Sequence, residues 1–181
     1  MRQAWRCDNR RDGPNVASQD GGRTAALGRQ LSLAHDELRR LINDLKNDLA
    51  SGAGHRRTGG GTLATHCLAF CAALETHHRG EDDGLFAQLV RERPELAGTV
   101  AKLVEDHGLI SSILSRVAEL AEQAAATGGP GPDEAVRREL DGLAAIMESH
   151  FRYEERVLGA ALDRTVPDGD WTEPVFRPVR R

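Results

Sequence analysis

Aromatic residues make up only 4% of this 181-residue chain, methionine occurs twice and cysteine three times, and neither charge sign dominates. Each scarcity excludes something. With 24 Lys and Arg against 28 Asp and Glu, and a net charge of -4, the balance lacks the basic excess of a face that releases counterions from a phosphate backbone. No nucleic-acid partner is expected, and the short basic clusters Arg10-Arg11, His55-Arg56-Arg57 and Arg177 to Arg181 read as solvated charge in loops and tails. No stretch approaches the ~20 apolar residues of a membrane span, and the N-terminus lacks the apolar run of a secretory signal, so no membrane association and a cytoplasmic location are expected. Three cysteines (Cys7, Cys67 and Cys71) without framework spacing agree with a reducing compartment. Cys67 and Cys71 lie one helical turn apart beside His66, but the second ligand pair of a structural zinc site is missing, and they read as small core thiols.

What is present is helical periodicity. Residues 1–23, rich in Arg, Asp, Gly, Asn and Gln, show no apolar period and read as a disordered arm. From Thr24 on, Leu27, Leu31, Ala34/His35, Leu38, Leu41/Ile42, Leu45 and Leu49 recur every three or four residues, the mark of an amphipathic helix. Glycine-rich SGAGHRRTGGG, residues 51 to 61, ends it, and Thr62 is placed to cap a second helix with Leu63, Cys67, Phe70, Leu74, His77, Glu81 and Leu85 on one face. Pro94 opens a third, with Val100, Leu103, His107, Ile110, Leu114, Val117 and Ala121 aligned. TGGPGP, residues 127 to 132, separates it from a fourth carrying Val136, Leu140, Leu143, Met147, His150, Glu154 and Leu158. The expected fold is all-α: an antiparallel up-down-up-down four-helix bundle over residues 24–163. Residues 164–181 then form an irregular tail whose anchors would be Trp171 and Phe176. The glycine runs follow no strand, so no phosphate-binding loop is present.

The four apolar stripes share an anomaly: each contains one histidine, namely His35, His77, His107 and His150. Two of these have a carboxylate four residues on, His77 with Glu81 and His150 with Glu154, which puts a nitrogen and an oxygen donor on the same helix face one turn apart. Helix lengths test whether the histidines meet. His35 lies about 15 residues before the end of its helix and His77 about 15 after the start of the next, roughly 22 Å each. The corresponding spans for the other two connections are about 13 against 12 and about 20 against 17, equal within the uncertainty of helix ends. All four histidines can therefore occupy one layer of the bundle, with Glu81 and Glu154. Six such ligands exceed what one structural zinc takes, and nitrogen and oxygen donors without thiolate suit iron, with manganese as the lesser alternative.

These stretches, LAHDELRRL around His35, HHRGEDDGLF around His77 and Glu81, VEDHGLI around His107 and ESHFRYEERVL around His150 and Glu154, resemble the hemerythrin family in its HHE cation-binding form, over roughly residues 27 to 162. The resemblance implies a non-heme di-iron pair bridged by the two carboxylates and an oxo or hydroxo group. It also implies a protein that carries or senses dioxygen, reacts with nitric oxide or peroxide, or handles iron. One departure stands out. The oxygen-carrying type has a second histidine one turn away on the third helix, where this chain has Leu103 and Ser111. His78 is the nearest substitute, although it lies ~100° round the helix from His77 and an outer or surface role competes. Asp82 and Tyr153 are weaker candidates, while Asp36, Glu105 and Asp106 adjoin the ligands and are expected to face outward or orient imidazoles. A ferritin-like carboxylate site would rest on a single Glu75-x-x-His78 pair, and that architecture needs two.

The expected activity is binding of, or reaction with, a small gaseous or peroxide ligand, with weak catalase-like turnover as one form. An iron-handling module, or a redox or oxygen sensor without turnover, is the alternative. A monomer is expected.

Overall fold

The computed structural model describes residues 17–50, 63–127 and 130–177. Four long rods form the frame. The first is α1 (Ala17–Ala50); the second is continuous through α2 (Leu63–Gly80), a π-helical turn (Glu81–Leu85) and α3 (Phe86–Glu92). A 3-10 turn (Pro94–Leu96) reverses the chain into α4 (Ala97–Thr127), and α5 (Pro130–Leu162) returns it. Short α6 (Thr172–Phe176) lies in the C-terminal segment. Each rod packs on its neighbours in sequence and α1 closes on α5, which gives the expected square antiparallel bundle with α2 between α1 and α4. No described helix is long and apolar enough to cross a membrane.

Sequence pattern explains each rod. In α1 the buried residues are Leu27, Leu31, Ala34, His35, Leu38, Ile42 and Leu45, the three-four spacing of one face, while Glu37, Arg40 and Asp44 pair on the solvent side. This helix starts at Ala17, seven residues ahead of Thr24, so residues 17–23 belong to it and not to the arm. Apolar period marks where a helix buries a face; its backbone bonds extend further. Residues 1–16, the SGAGHRRTGGG connection, Thr62 and the last four residues lie outside the described residues. Pro130 falls inside the first turn of α5, where its missing N–H is one the helix does not use, so the connection to α4 is shorter than TGGPGP suggested.

The second rod departs from a plain α-helix. Between Glu81 and Leu85 the amide of Phe86 bonds the carbonyl of Glu81, five residues back, so one extra residue is fitted into the turn. That insertion lets the buried stripe pass from Leu74, His77, His78 and Glu81 to Leu85, Phe86 and Leu89 without leaving the interior. Gly80 just before the turn and Gly84 within it suit the C-terminal segment, which lies directly on them. A Cβ on Gly84 would sit 2.2 Å from Trp171 Cβ, and one on Gly80 would be 3.0 Å from Pro174 Cβ. Trp171 and Val175 are buried there, which anchors the described part of the tail.

The interior is two apolar blocks. One contains Leu38, Ile42, Phe70, Leu74, Leu114, Val117, Leu140 and Met147; the other Leu27, Leu31, Leu85, Phe86, Leu103, Leu158 and Trp171. Between them lie His35, His77, His78, Glu81, His107, His150 and Glu154, none more than 5% exposed.

Candidate metal centre

All four rods contribute to that layer: α1 gives His35, α2 gives His77 and His78, the π turn gives Glu81, α4 gives His107, and α5 gives His150 and Glu154. Their donor atoms converge in two groups, His35 with His77 and Glu81, and His78 with His107 and His150, each within 4.8 Å. His35 Nε2 lies 3.1 Å from His77 Nε2, and His107 Nε2 lies 3.0 Å from His150 Nε2. The carboxylates join the groups. Glu81 Oε1 is 3.2 Å from His77 Nε2 and its Oε2 is 3.6 Å from His107 Nε2. Glu154 Oε2 is 3.4 Å from His35 Nε2 and 3.7 Å from His150 Nε2.

The outer ring nitrogens decide what the inner ones can be. His35 Nδ1 lies 2.7 Å from Glu155 Oε1, His77 Nδ1 is 2.8 Å from the Val175 carbonyl, and His107 Nδ1 is 2.8 Å from Asp82 Oδ1. Each of these partners only accepts, so each Nδ1 carries the hydrogen and donates. A neutral imidazole has one N–H, and the Nε2 of all three rings therefore presents a lone pair inward. His150 Nδ1 lies 3.5 Å from Asp106 Oδ2 without a hydrogen bond, so that contact does not fix its tautomer in the same way. Two lone pairs 3.1 Å apart repel unless a cation lies between them. Nitrogen ligands sit about 2.0–2.1 Å from a divalent ion, so two adjacent ligands of one ion come about 3 Å apart. The spacing found here is the spacing of a shared ion.

Unanswered polar atoms point the same way. His78 Nε2 and all four carboxylate oxygens of Glu81 and Glu154 are buried without a hydrogen-bond partner. A buried donor or acceptor left unpaired costs about 1–3 kcal/mol, more for a charge, so five at one level demand a common partner. The donor set of five imidazoles and two carboxylates fits a pair of divalent ions.

A hemerythrin HHE cation-binding domain family model matches residues 28–162. The chain belongs to this family. Comparison with curated proteins and with solved structures finds no match. Domains of the hemerythrin type bind metal ions, and among the described residues the groups placed to hold one are His35 with His77 and Glu81, and His78 with His107 and His150.

Electrostatics describe the metal-free form of the hemerythrin domain. Burial pushes the His35, His77 and His78 pKa values well below the ordinary imidazole range, and neighbouring charged groups add to it. Burial likewise lowers His150 to about 4. Glu154 is pushed up to about 8, chiefly by burial, and Glu81 is raised by burial and then by the adjacent Glu154. Neutral rings and protonated carboxyls are what an interior without a cation imposes.

The structure brings together His35, His77, Glu81, His107, His150 and Glu154, the six residues the sequence singled out. It also resolves the competition over His78. In a square bundle α2 touches α1 on one side and α4 on the next, so adjacent residues ~100° apart face different neighbours. His77 faces His35, while His78 stacks on His107 at 3.9 Å between ring centroids. His78 is thus an interior residue, and the turn that separates it from His77 is what lets one helix serve both groups. Leu103 is buried in an apolar block and Ser111 is exposed, so α4 supplies no second nitrogen.

The weaker candidates go elsewhere. Asp82 orients His107, Tyr153 lies under the Arg156 guanidinium, and Asp36 pairs with Arg39 at the surface. Glu75 is exposed and pairs with Arg79, which removes the basis for a ferritin-like site. Cys67 and Cys71 belong to neither group, and burial raises their thiols to about 12 and about 11, so they stay protonated. Sequence reasoning missed Glu155, the Val175 carbonyl and Gln88. Glu155 was adjacent to a predicted ligand, but a main-chain carbonyl has no signature in a sequence.

Proposed function

We propose that this hemerythrin domain holds two iron ions in the histidine layer and binds or reacts with a small oxidant or gas, namely dioxygen, peroxide or nitric oxide. The observation that supports this best is the inward lone pairs of His35, His77 and His107 with the unpartnered Glu81 and Glu154 carboxylates between them. Nitrogen and oxygen donors without thiolate favour iron over zinc, and manganese comes second. Bound iron would supply a redox-active Lewis acid that polarises and orients a small ligand.

The chain's own part is positioning, charge and exclusion. Glu155 and Asp82 hold His35 and His107 by their Nδ1–H groups, fixing ring orientation and raising the basicity of each Nε2. Arg39 bonds both Glu148 and Glu155, so the Glu155 carboxylate is itself held in place. Glu81 and Glu154 span the two groups, and would give up their protons on holding a cation. Phe151 stacks on His35 and Phe86 on His107, walling the layer from the apolar blocks.

A second reading, an iron-handling or sensing module without turnover, draws support from the C-terminal segment, whose Val175 carbonyl grips His77. Metal analysis of protein purified without added metal, with the absorption spectrum before and after reduction and re-exposure to air, tests the iron assignment. About two irons per chain, with near-ultraviolet bands that bleach on reduction, is the expected result. No iron, and no uptake after anaerobic reconstitution, overturns it. Peroxide consumption over many turnovers would favour the reactive protein over the sensor.

A further inference from the structure

Four of the five imidazoles in the layer have an outer nitrogen whose surroundings can be traced, and three of these face carboxylates from the rods: His35 faces Glu155, His107 faces Asp82 and His150 faces Asp106. His77 is different. Its Nδ1–H donates to the carbonyl of Val175, which lies beyond residues 28–162, the part of the chain the family model covers. The segment that carries Val175 is tightly attached. Gly80 and Gly84 leave a floor on which Pro174, Val175 and Trp171 rest, and a side chain on Gly84 would collide with Trp171.

Gln88, buried on the same rod, spends its whole hydrogen-bonding capacity on this attachment. Its Nε2 donates to Val166 O at 2.7 Å and to Glu92 Oε1 at 2.6 Å. Its Oε1 accepts from the Trp171 Nε1–H at 3.0 Å and from the Asp168 N–H at 3.2 Å. Thr165 Oγ1 adds a bond to Glu92, and Arg91 pairs with Asp168. A buried network in which the hub is fully satisfied admits one position of the segment.

We infer that residues 163–177 form a positioning strap that completes the metal centre by holding His77 in the Nδ1–H tautomer through the Val175 carbonyl. This rests on the di-iron reading for its consequence, but not for the contact itself. With the strap docked, His77 Nε2 must present its lone pair towards His35 and Glu81. With the strap displaced, Nδ1–H has no acceptor, and the ring is free to place its hydrogen on Nε2, where it cannot ligate. The acceptor is a neutral carbonyl, so the strap sets geometry without adding negative charge. Occupancy of the position formed by His35, His77 and Glu81 then depends on a segment of chain outside the four rods.

The test uses the full chain with Gly84→Leu, which places a side chain where Trp171 lies, and Gln88→Leu, which breaks the hub without crowding. Gly142→Ala, on an open face of α5 with nothing within 4 Å, is the control. Ring nitrogen NMR of the metal-free proteins reads the His77 tautomer directly, and amide exchange over residues 165–177 reads strap release. The expected result is a single Nδ1–H tautomer in wild type and control, and a mixture in a variant whose strap amides exchange faster. Ferrous iron titration should then show one of two equivalents weakened about 10- to 100-fold, with helix content retained. A released strap with the wild-type tautomer and unchanged iron binding would overturn the inference. So would strap amides as protected in both variants as in wild type, since the docking argued from Gly84 and Gln88 would then be wrong. Wild-type protein that takes no iron would overturn the proposed function while leaving the tautomer comparison to decide the strap.

Discussion

Replacing His78 with phenylalanine separates its two roles. The ring volume is kept, the orphaned Nε2 is removed, and a ligand is lost from the group with His107 and His150. His78→Phe should therefore fold at least as well as wild type without metal, because it removes one buried nitrogen that has no partner. Its iron content, by elemental analysis, should fall from about two per chain towards one. The carboxyls predict a pH signature. Glu154 is raised to about 8 and Glu81 is raised as well, so both bind protons in the folded metal-free state that the unfolded chain has released. Their stabilising contribution is complete below the ordinary carboxylate range and is lost as pH rises through about 8. His35, His77, His78 and His150 are depressed, so theirs is present above about pH 6.5 and is lost as pH falls. Metal-free protein should melt highest near pH 6 to 7. Metal binding at that pH should expel protons from the Glu81 and Glu154 pair, and the release should fade above about pH 8. Calorimetry in buffers of differing ionisation enthalpy measures it. At this scale the sequence was legible wherever a ligand sat on an apolar stripe with helical spacing, as for His35, His77, Glu81, His107, His150 and Glu154. His78 was not, because its direction depends on which helices flank α2. The Val175 carbonyl was not, because any residue carries one.

The second rod shows what an element adds. Glycine at positions 80 and 84 reads in a sequence as weak helix, and the structure gives both a different reason, the close approach of Pro174 and Trp171. The π turn is invisible to periodicity analysis because Leu85 and Phe86 are both apolar, and either can be assigned to the stripe. Inserting one further residue beside exposed Asp83, in a turn that already takes one extra, would rotate everything downstream by about 100°. Leu85, Phe86 and Leu89 would then leave the interior, at about 1.5–3 kcal/mol each for side chains of this size. The insertion should lower the thermal midpoint sharply, whereas Asp83→Ala should change it by little, and both can be read by circular dichroism. Helix ends were the least legible feature. Ala17 and Pro130 begin helices in stretches without an apolar stripe, where only the backbone bonds show that a helix exists.

Across the whole molecule, antiparallel order and the common level of the histidines followed from helix lengths alone, since four rods of similar length joined by short connections have few ways to pack. What lengths could not show is that the layer splits the interior into two apolar blocks. Metal should act as the tie between them. Free metal at about 100 times its dissociation constant stabilises a single site by about 2.7 kcal/mol, on the order of 5–10 °C in midpoint for a domain of this size. Chelation should lower the midpoint by that amount. On loading, amide protection should rise most around residues 74–85, 103–110 and 147–154 and least at the bundle ends, as hydrogen exchange by mass spectrometry can show. Leucine-rich stripes are nearly translation-tolerant: slide one rod past another by a turn, 5.4 Å, and alkyl groups still meet alkyl groups. The imidazole and carboxyl level forbids that. A shifted rod would set rings against leucines and leave carboxyls among methyls, so the same residues that weaken the metal-free interior act as an alignment key, legible to the folding chain before any ion arrives.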